Sequence, residues 1–116
     1  MAPVELTPDD LLAGAAIAFD ITIPADILNP GNPEDRASNR SSEEKVVRLC
    51  PLTIGTFQLI MKAARNDAGL IPLLMIRESM VQPKLSLEQI RSMHLGLVNF
   101  LIAQIRQISG LSEKKT

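Results

Sequence analysis

The stretch from Pro83 to Leu111 constrains the fold most, because its local signals define two helices and the turn between them. Ser86 followed three residues later by Gln89 forms a capping box, which predicts a short helix that stops near residues 94–96. Apolar residues then recur at spacings of three and four, and this predicts a second helix that runs to Ser109. Gly110 stands where a left-handed cap residue belongs. The second helix is so apolar that it is suited to burying one face against another part of the protein or against a partner.

Two further helices are predicted between residues 53 and 82. Thr53 begins one that runs to about Arg65, and the segment 66–69 breaks it. The next covers roughly Leu70 to Val81 and ends before Pro83, since the residue preceding a proline is pushed out of the helical region. That helix is apolar on most of its circumference, so it is either central to the core or covered by another copy of the chain.

The N-terminal part predicts one helix and one strand. Thr7 can cap a helix and Pro8 suits its first position, so a helix is expected from Pro8 to about Ala18. Residues 19–23 alternate between apolar and polar before Pro24, and residues 45–50 form a second strand candidate before Pro51. The two strands would pair as a hairpin, with each confined by its proline to an edge-like position.

Composition completes the prediction of the fold. Hydrophobic residues make up 46% of the 116 residues but aromatic residues only 3%, so the core must be aliphatic. The predicted class is mainly α: a small helical domain of four to five helices with a short two-stranded β-hairpin near the N-terminus. A chain of this length is expected to be a single domain, 1–116. Its parts are an N-terminal helix and strand (1–28), a mobile polar loop (29–44), a strand plus helical core (45–111) and a flexible tail (112–116). The loop is either disordered in the free protein or ordered on a partner.

Charge is distributed unevenly along the chain. The net charge of −1 argues against a strongly basic nucleic-acid-binding protein. Residues 1–26 nevertheless carry five acids and no Lys or Arg, whereas residues 45–116 are rich in Lys and Arg. The acidic end either complements the chain's own basic body or steers toward a partner of opposite charge.

No set of residues suggests catalysis. The chain has one His and one Cys, His94 and Cys50, at a spacing that supports no pair of nucleophile and base, and they are too few to hold a metal. A turn or cap role is expected for His94. We therefore predict no enzyme activity, no catalytic or metal-binding residues and no cofactor.

The remaining sequence features concern location and DNA binding. The single Cys50 and the lack of an evident signal peptide favour a reducing cytoplasm, and no apolar run is long enough for a membrane span. The helices of residues 85–108 have roughly the lengths of a helix-turn-helix motif. The second one, however, offers the major groove apolar side chains and only Arg106, which argues against DNA reading.

Three segments carry a family resemblance. The run VVRLCPLTIGTF, Val46 to Phe57, resembles the strand and helix start in tail assembly chaperones of long-tailed bacteriophages, or of a prophage or phage-tail-like relative. MVQPKLSLEQI, Met80 to Ile90, is similar to a V-x-P-K-L-[ST]-x-E-x-[VI] pattern of that family, with Gln82 in place of its Glu or Asp. The stretch from Gly96 to Leu111 looks like the family's closing helix and Ser-Gly-Leu terminus.

The resemblance implies a non-enzymatic role. Such a chaperone binds the tape measure protein, keeps that long helical rod soluble and helps recruit tail-tube subunits in the host bacterial cytoplasm, and it is absent from the mature virion. Many such phages also make a longer form of the chaperone by a translational frameshift near the end of the gene. Lys114 and Lys115 are compatible with this, because an adenine-rich slippery sequence encodes consecutive lysines. A homo-oligomer is left open. The alternatives are a small helix-turn-helix-like DNA-binding regulator and a structural phage subunit.

The predicted partner-binding surface consists of the apolar faces of two helices, Leu70 to Val81 and Leu97 to Ile108. In a chain this short we expect them to be only partly covered by their own fold. The candidate residues are Leu73, Met75, Ile76, Met80, Leu97, Phe100, Leu101, Ile105 and Ile108.

Overall fold

Six α-helices and three strands follow one another along the described part of the chain, residues 3–29 and 45–111 of a computed structural model. The order is α1 (Pro8–Leu12), a 3₁₀ helix (Ala13–Ala16), β1 (Phe19–Thr22), α2 (Ala25–Leu28), β2 (Val46–Leu49), α3 (Ile54–Ala63), α4 (Leu70–Ser79), β3 (Met80–Gln82), α5 (Leu87–Arg91) and α6 (Leu95–Ile108). The prediction of a mainly helical chain is confirmed. The predicted loop is outside the described residues from position 30 onward, as is the predicted tail.

The sheet has three strands in the order β1-β2-β3, and not the predicted two. β1 and β2 pair antiparallel, from Phe19 opposite Leu49 to Thr22 opposite Val46, as the hairpin prediction required. The prediction that both strands lie at an edge is wrong for β2, which is the central strand. Pro51 does not interrupt pairing because β2 ends at Leu49, before the proline.

The third strand replaces the end of a predicted helix. α4 stops at Ser79, and Met80–Gln82 pairs antiparallel with β2. At the switch, the backbone N–H of Cys50 donates to the carbonyl of Ser79 at 2.8 Å, and the fully buried Ser79 hydroxyl donates to the carbonyl of Cys50. These contacts join residues 29 positions apart, so helical periodicity could not reveal them.

α2 is a helix that the sequence pattern did not predict. It is a single turn that begins after Pro24, and the N–H of Leu28 donates to the Pro24 carbonyl at 2.9 Å. With α2 included, the described residues contain more helices than the predicted four to five.

The core is aliphatic, as the composition predicted. α4 lies at its centre and packs against α3, α5, α6 and β3. The buried residues of the core come from several strands and helices. They are Ile23, Leu49, Ile60, Ala64, Leu74, Met75, Ile76, Met80, Ile90, Leu101 and Ile105.

The caps predicted for the last two helices are confirmed. Gln89 N–H donates to Ser86 Oγ at 3.2 Å, and Ser86 N–H donates to Gln89 Oε1 at 2.9 Å, which completes the capping box. Gly110 has a φ of 83°, in the left-handed region that favours glycine. Both ends of the stretch are therefore set by short-range bonds.

His94 caps α6 and also ties it to α2. Its Nδ1 accepts a hydrogen bond from the N–H of Leu97 at 3.2 Å. Nε2 is then the protonated ring nitrogen, and it lies 3.3 Å from the carbonyl oxygen of Leu28. The expected turn or cap role is confirmed, with a second contact that the sequence did not suggest.

The N-terminal segment Pro3–Ala18, here called the arm, is exposed at every residue. Thr7 caps α1 and Pro8 is its first residue, as predicted. The α-helix ends at Leu12, however, and the 3₁₀ helix that follows it ends at Ala16, so the predicted helix to Ala18 is too long. Gly14 lowers helix stability by about 1 kcal/mol relative to Ala, and no burial offsets that loss in the arm.

We expect His94→Ala to lower the free energy of unfolding by about 1–2 kcal/mol, because the cap of α6 and the contact with Leu28 are both lost. His94→Asn is the matched variant, since its amide oxygen can still accept from Leu97. Urea denaturation should rank wild type above Asn and Asn above Ala. Equal loss in the two variants would contradict the capping role.

The capping box of α1 should be visible in a titration. The Thr7 backbone N–H and then its hydroxyl bond to the Asp10 carboxylate and hold the pKa of Asp10 below its usual range. The ionised form is thus favoured in the folded arm, so this contribution is complete above the unfolded pKa and is lost as pH falls through the folded pKa. We expect Thr7→Ala to raise the pKa of Asp10 only part of the way, because the backbone N–H remains. Carboxyl ¹³C NMR measures it, and an unchanged pKa would contradict the side-chain contribution.

Candidate functional site

The two residues best suited to nucleophilic chemistry have structural roles. Both ring nitrogens of His94 are engaged, one by Leu97 and one by Leu28. Cys50 is a half-buried free thiol whose backbone forms the junction with Ser79. Among residues 3–29 and 45–111, no group of three or more His, Cys, Asp or Glu is placed to hold a metal ion. Exposed apolar side chains are the remaining candidates for a functional surface among these residues.

Five of the nine predicted partner-binding residues lie in the core of this fold. Each is at most 8% exposed, so a partner could reach it only if the fold opened. These residues hold α4, β3 and α6 together and form no surface: Met75, Ile76, Met80, Leu101 and Ile105.

The other four, Leu73, Leu97, Phe100 and Ile108, are half-buried and pack against the core. Leu97, Phe100 and Ile108 fall on one flank of α6, because their spacings of three and eight return to nearly the same helical direction. Part of each side chain remains open to solvent. The predicted surface is thus narrower than expected.

A second apolar surface lies on α3. Ile54, Phe57 and Met61, here called the α3 stripe, are spaced by three and four and are 73%, 40% and 42% exposed. On the adjoining side of the helix, Ile60 and Ala64 are buried. The apolar arc of α3 is therefore wider than the core requires, and its outer part is uncovered.

Local signals place the α3 stripe on a well-defined helix. The Thr53 hydroxyl caps α3 by accepting from the N–H of Thr56 at 3.2 Å, as the sequence predicted. Lys62 and Arg65 lie at the C-terminal end of α3, where the helix dipole favours positive charge. Within the described residues neither cation has a salt-bridge partner. The stripe therefore ends in positive charge that no carboxylate of the described residues pairs.

The predicted partner-binding surface does not include the α3 stripe, because that prediction rests on the two most apolar helices of the sequence. A signal was present, since the stripe has its own spacing of three and four beside the row that contains Ile60 and Ala64. Periodicity alone does not say which of two adjacent apolar rows the fold covers.

The acidic N-terminal region complements the body at one point. Asp20 on β1 and Arg48 on β2 form a 2.9 Å ion pair, with side chains that are more than half and half exposed. It borders a shallow groove of about 380 Å³ on the sheet, lined also by Val46, Gln82 and Pro83. The acids of the arm itself, Glu5, Asp9 and Asp10, have no ion-pair partner within the described residues.

Comparisons with known proteins add no family to this picture. No family model, no curated protein and no solved structure matches the chain. In the part of the chain that the structure describes, no helix combines the length and the apolar character needed to cross a bilayer.

We expect Ile105→Ala to lower the free energy of unfolding by about 2–5 kcal/mol, because it leaves a cavity in a fully packed site. Leu95→Ala on the same helix is the control: Leu95 is 80% exposed, and its truncation should change stability by about 0.5 kcal/mol or less. Chemical denaturation measures both. Comparable losses would contradict the division of α6 into core and surface.

Proposed function

We propose that this protein is a non-enzymatic chaperone for phage tail assembly that binds the tape measure protein and helps recruit tail-tube subunits. The observation that carries the proposal is the α3 stripe, an uncovered row of large apolar side chains on a capped helix. The family resemblance supplies the identity of the partner. The chaperone acts in the host bacterial cytoplasm before the virion is complete.

An exposed apolar row on a helix suits a helical partner. A second amphipathic helix can lie along it and present residues at the same spacings of three and four. Met61 adds a flexible and polarizable contact, which tolerates a partner whose sequence varies from turn to turn. The half-buried flank of α6 at Leu97, Phe100 and Ile108 offers a further, shallower apolar surface, and Leu73 another on α4.

The size of the stripe favours reversible binding. Full burial of one large apolar side chain contributes about 1.5–3 kcal/mol, and association itself costs several kcal/mol in lost freedom. Three such side chains alone give a weak contact. A long partner that repeats the same apolar pattern would gain affinity by engaging several copies of the chaperone.

The DNA-binding alternative has less support from α6. Its one basic residue, Arg106, donates a hydrogen bond from its guanidinium to the carbonyl of Leu111 at 3.3 Å. Leu95, Asn99 and Ala103 are exposed on the same helix and supply no positive charge for phosphates. A structural role in the particle remains the other alternative.

The test is co-expression with the tape measure protein that the proposal predicts to be encoded beside this gene, followed by affinity capture. We expect wild type to recover the tape measure protein. The double variant Ile54→Asp, Met61→Asp should lower that recovery at least about tenfold, since two buried charges would oppose the contact. Leu59→Asp is the matched control: Leu59 is 66% exposed on α3 but points away from the stripe, so recovery should be retained.

The outcomes separate the three candidate functions. Circular dichroism must show that both variants keep the helical content of wild type. No complex with the wild-type chain, or equal recovery with the stripe and control variants, would contradict the proposal. DNA binding that weakens steeply with added salt would favour the regulator, and presence of the chain in purified particles would favour the structural subunit.

A further inference from the structure

Two apolar surfaces remain uncovered in a single chain, the α3 stripe and the arm. In the arm, Leu11 and Leu12 are 69% and 67% exposed, and Val4 and Leu6 are also exposed. All four are large aliphatic side chains that gain free energy by leaving water. Nothing in the described fold covers them.

α1 is amphipathic along its short length. At roughly 100° per residue, Pro8, Leu11 and Leu12 share one side of the helix, Asp9 lies at the edge of that side, and Asp10 lies opposite it. The capping box with Thr7 fixes this arrangement, because Thr7 N–H donates to Asp10 Oδ2 at 2.9 Å and Asp10 N–H donates to Thr7 Oγ1 at 3.2 Å. The arm thus presents a preformed apolar side with an acidic border.

The charges of the arm and of α3 are complementary. Residues 3–18 contain Glu5, Asp9 and Asp10 and no Lys or Arg. Residues 54–65 contain Lys62 and Arg65 and no Asp or Glu. An arm laid along the α3 stripe can place the carboxylate of Asp9 near these two cations while Leu11 and Leu12 cover the stripe.

We propose that the arm of one chain docks on the α3 stripe of a second copy and shields that surface until the tape measure protein displaces it. The occupant is a second copy because the arm and the α3 stripe both lie within the described residues, and within one chain neither covers the other. Only Ile17 and Ala18 separate the 3₁₀ helix from β1, so the arm is held on a short tether. The shielding role rests on the proposed function; the contact between copies does not.

The exchange is self-complementary. Each chain carries one arm and one stripe, so two copies related by a two-fold axis make the same contact twice. The dimer closes and leaves no free arm or stripe. Because arm and tape measure protein occupy the same surface, adding one should release the other.

Carbodiimide cross-linking of an equal mixture of ¹⁴N- and ¹⁵N-labelled chains tests the contact directly. The reagent joins a carboxylate to an amine that touches it. We expect peptides linking Asp9 or Asp10 to Lys62, with the two isotopes mixed, which shows that the link crosses between chains. Lys84 is exposed in the segment that follows β3, outside α3, and serves as the control amine, with little cross-linking expected.

Charge reversal tests the energetics in the full chain. Asp9→Lys with Asp10→Lys, and separately Lys62→Glu with Arg65→Glu, should each weaken self-association at least about tenfold by sedimentation equilibrium, because like charges then face each other. A mixture of the two double variants should associate again, since opposite charges are restored across one arm and one stripe. Circular dichroism confirms that each variant folds.

Each outcome bears on the inference. Links confined to chains of one isotope, or none at Lys62, overturn docking on a second copy, as does a chain that captures the tape measure protein yet stays monomeric in all variants. If adding the tape measure protein lowers the yield of cross-links between the arm and Lys62, the shielding role is supported. A chain that dimerises through the arm but captures no tape measure protein overturns the shielding role and the proposed function, and leaves the contact itself supported.

Discussion

The junction between Ser79 and Cys50 is the contact on which the rest of the fold depends. Its reciprocal bonds stop α4, turn the chain into β3 and place that strand beside β2. Since the Ser79 hydroxyl is fully buried, its bond to the Cys50 carbonyl also avoids the cost of an unpaired polar group. The same junction sets where the chain enters α3, only a few residues after Cys50. The apolar stripe is therefore presented by a helix whose start is anchored to the sheet and to the central helix together.

Features that depend on bonds within one turn could be predicted from the sequence. The capping boxes at Thr7 and Ser86, the cap at Thr53 and the left-handed Gly110 all follow from residue types three or four positions apart. β3 could not be predicted in this way. Its residues read as the end of an apolar helix, and the bonds that override this preference come from β2, far away in the sequence.

The exposed apolar surface was harder to predict than the fold. α4 is apolar nearly all round, which is equally consistent with a central helix and with a helix awaiting a partner. Packing against α3, α5 and α6 resolves this in favour of the core and buries Met75 and Ile76. On α3 the reverse holds, since Ile54, Phe57 and Met61 lie outside the core and are exposed. What the sequence lacked in both cases was the direction in which each helix faces its neighbours.

The bond between the N–H of Leu52 and Ser109 Oγ, 2.9 Å long, has a consequence for any polypeptide attached to the C-terminal end. It ties the last turn of α6 to the residue that precedes the Thr53 cap, so the chain leaves the fold beside the entrance to α3. A C-terminal extension of any kind starts near Ile54 and has a raised effective concentration there. An appended domain would thus be held close to the exposed stripe of α3 by tethering alone, without a dedicated docking site.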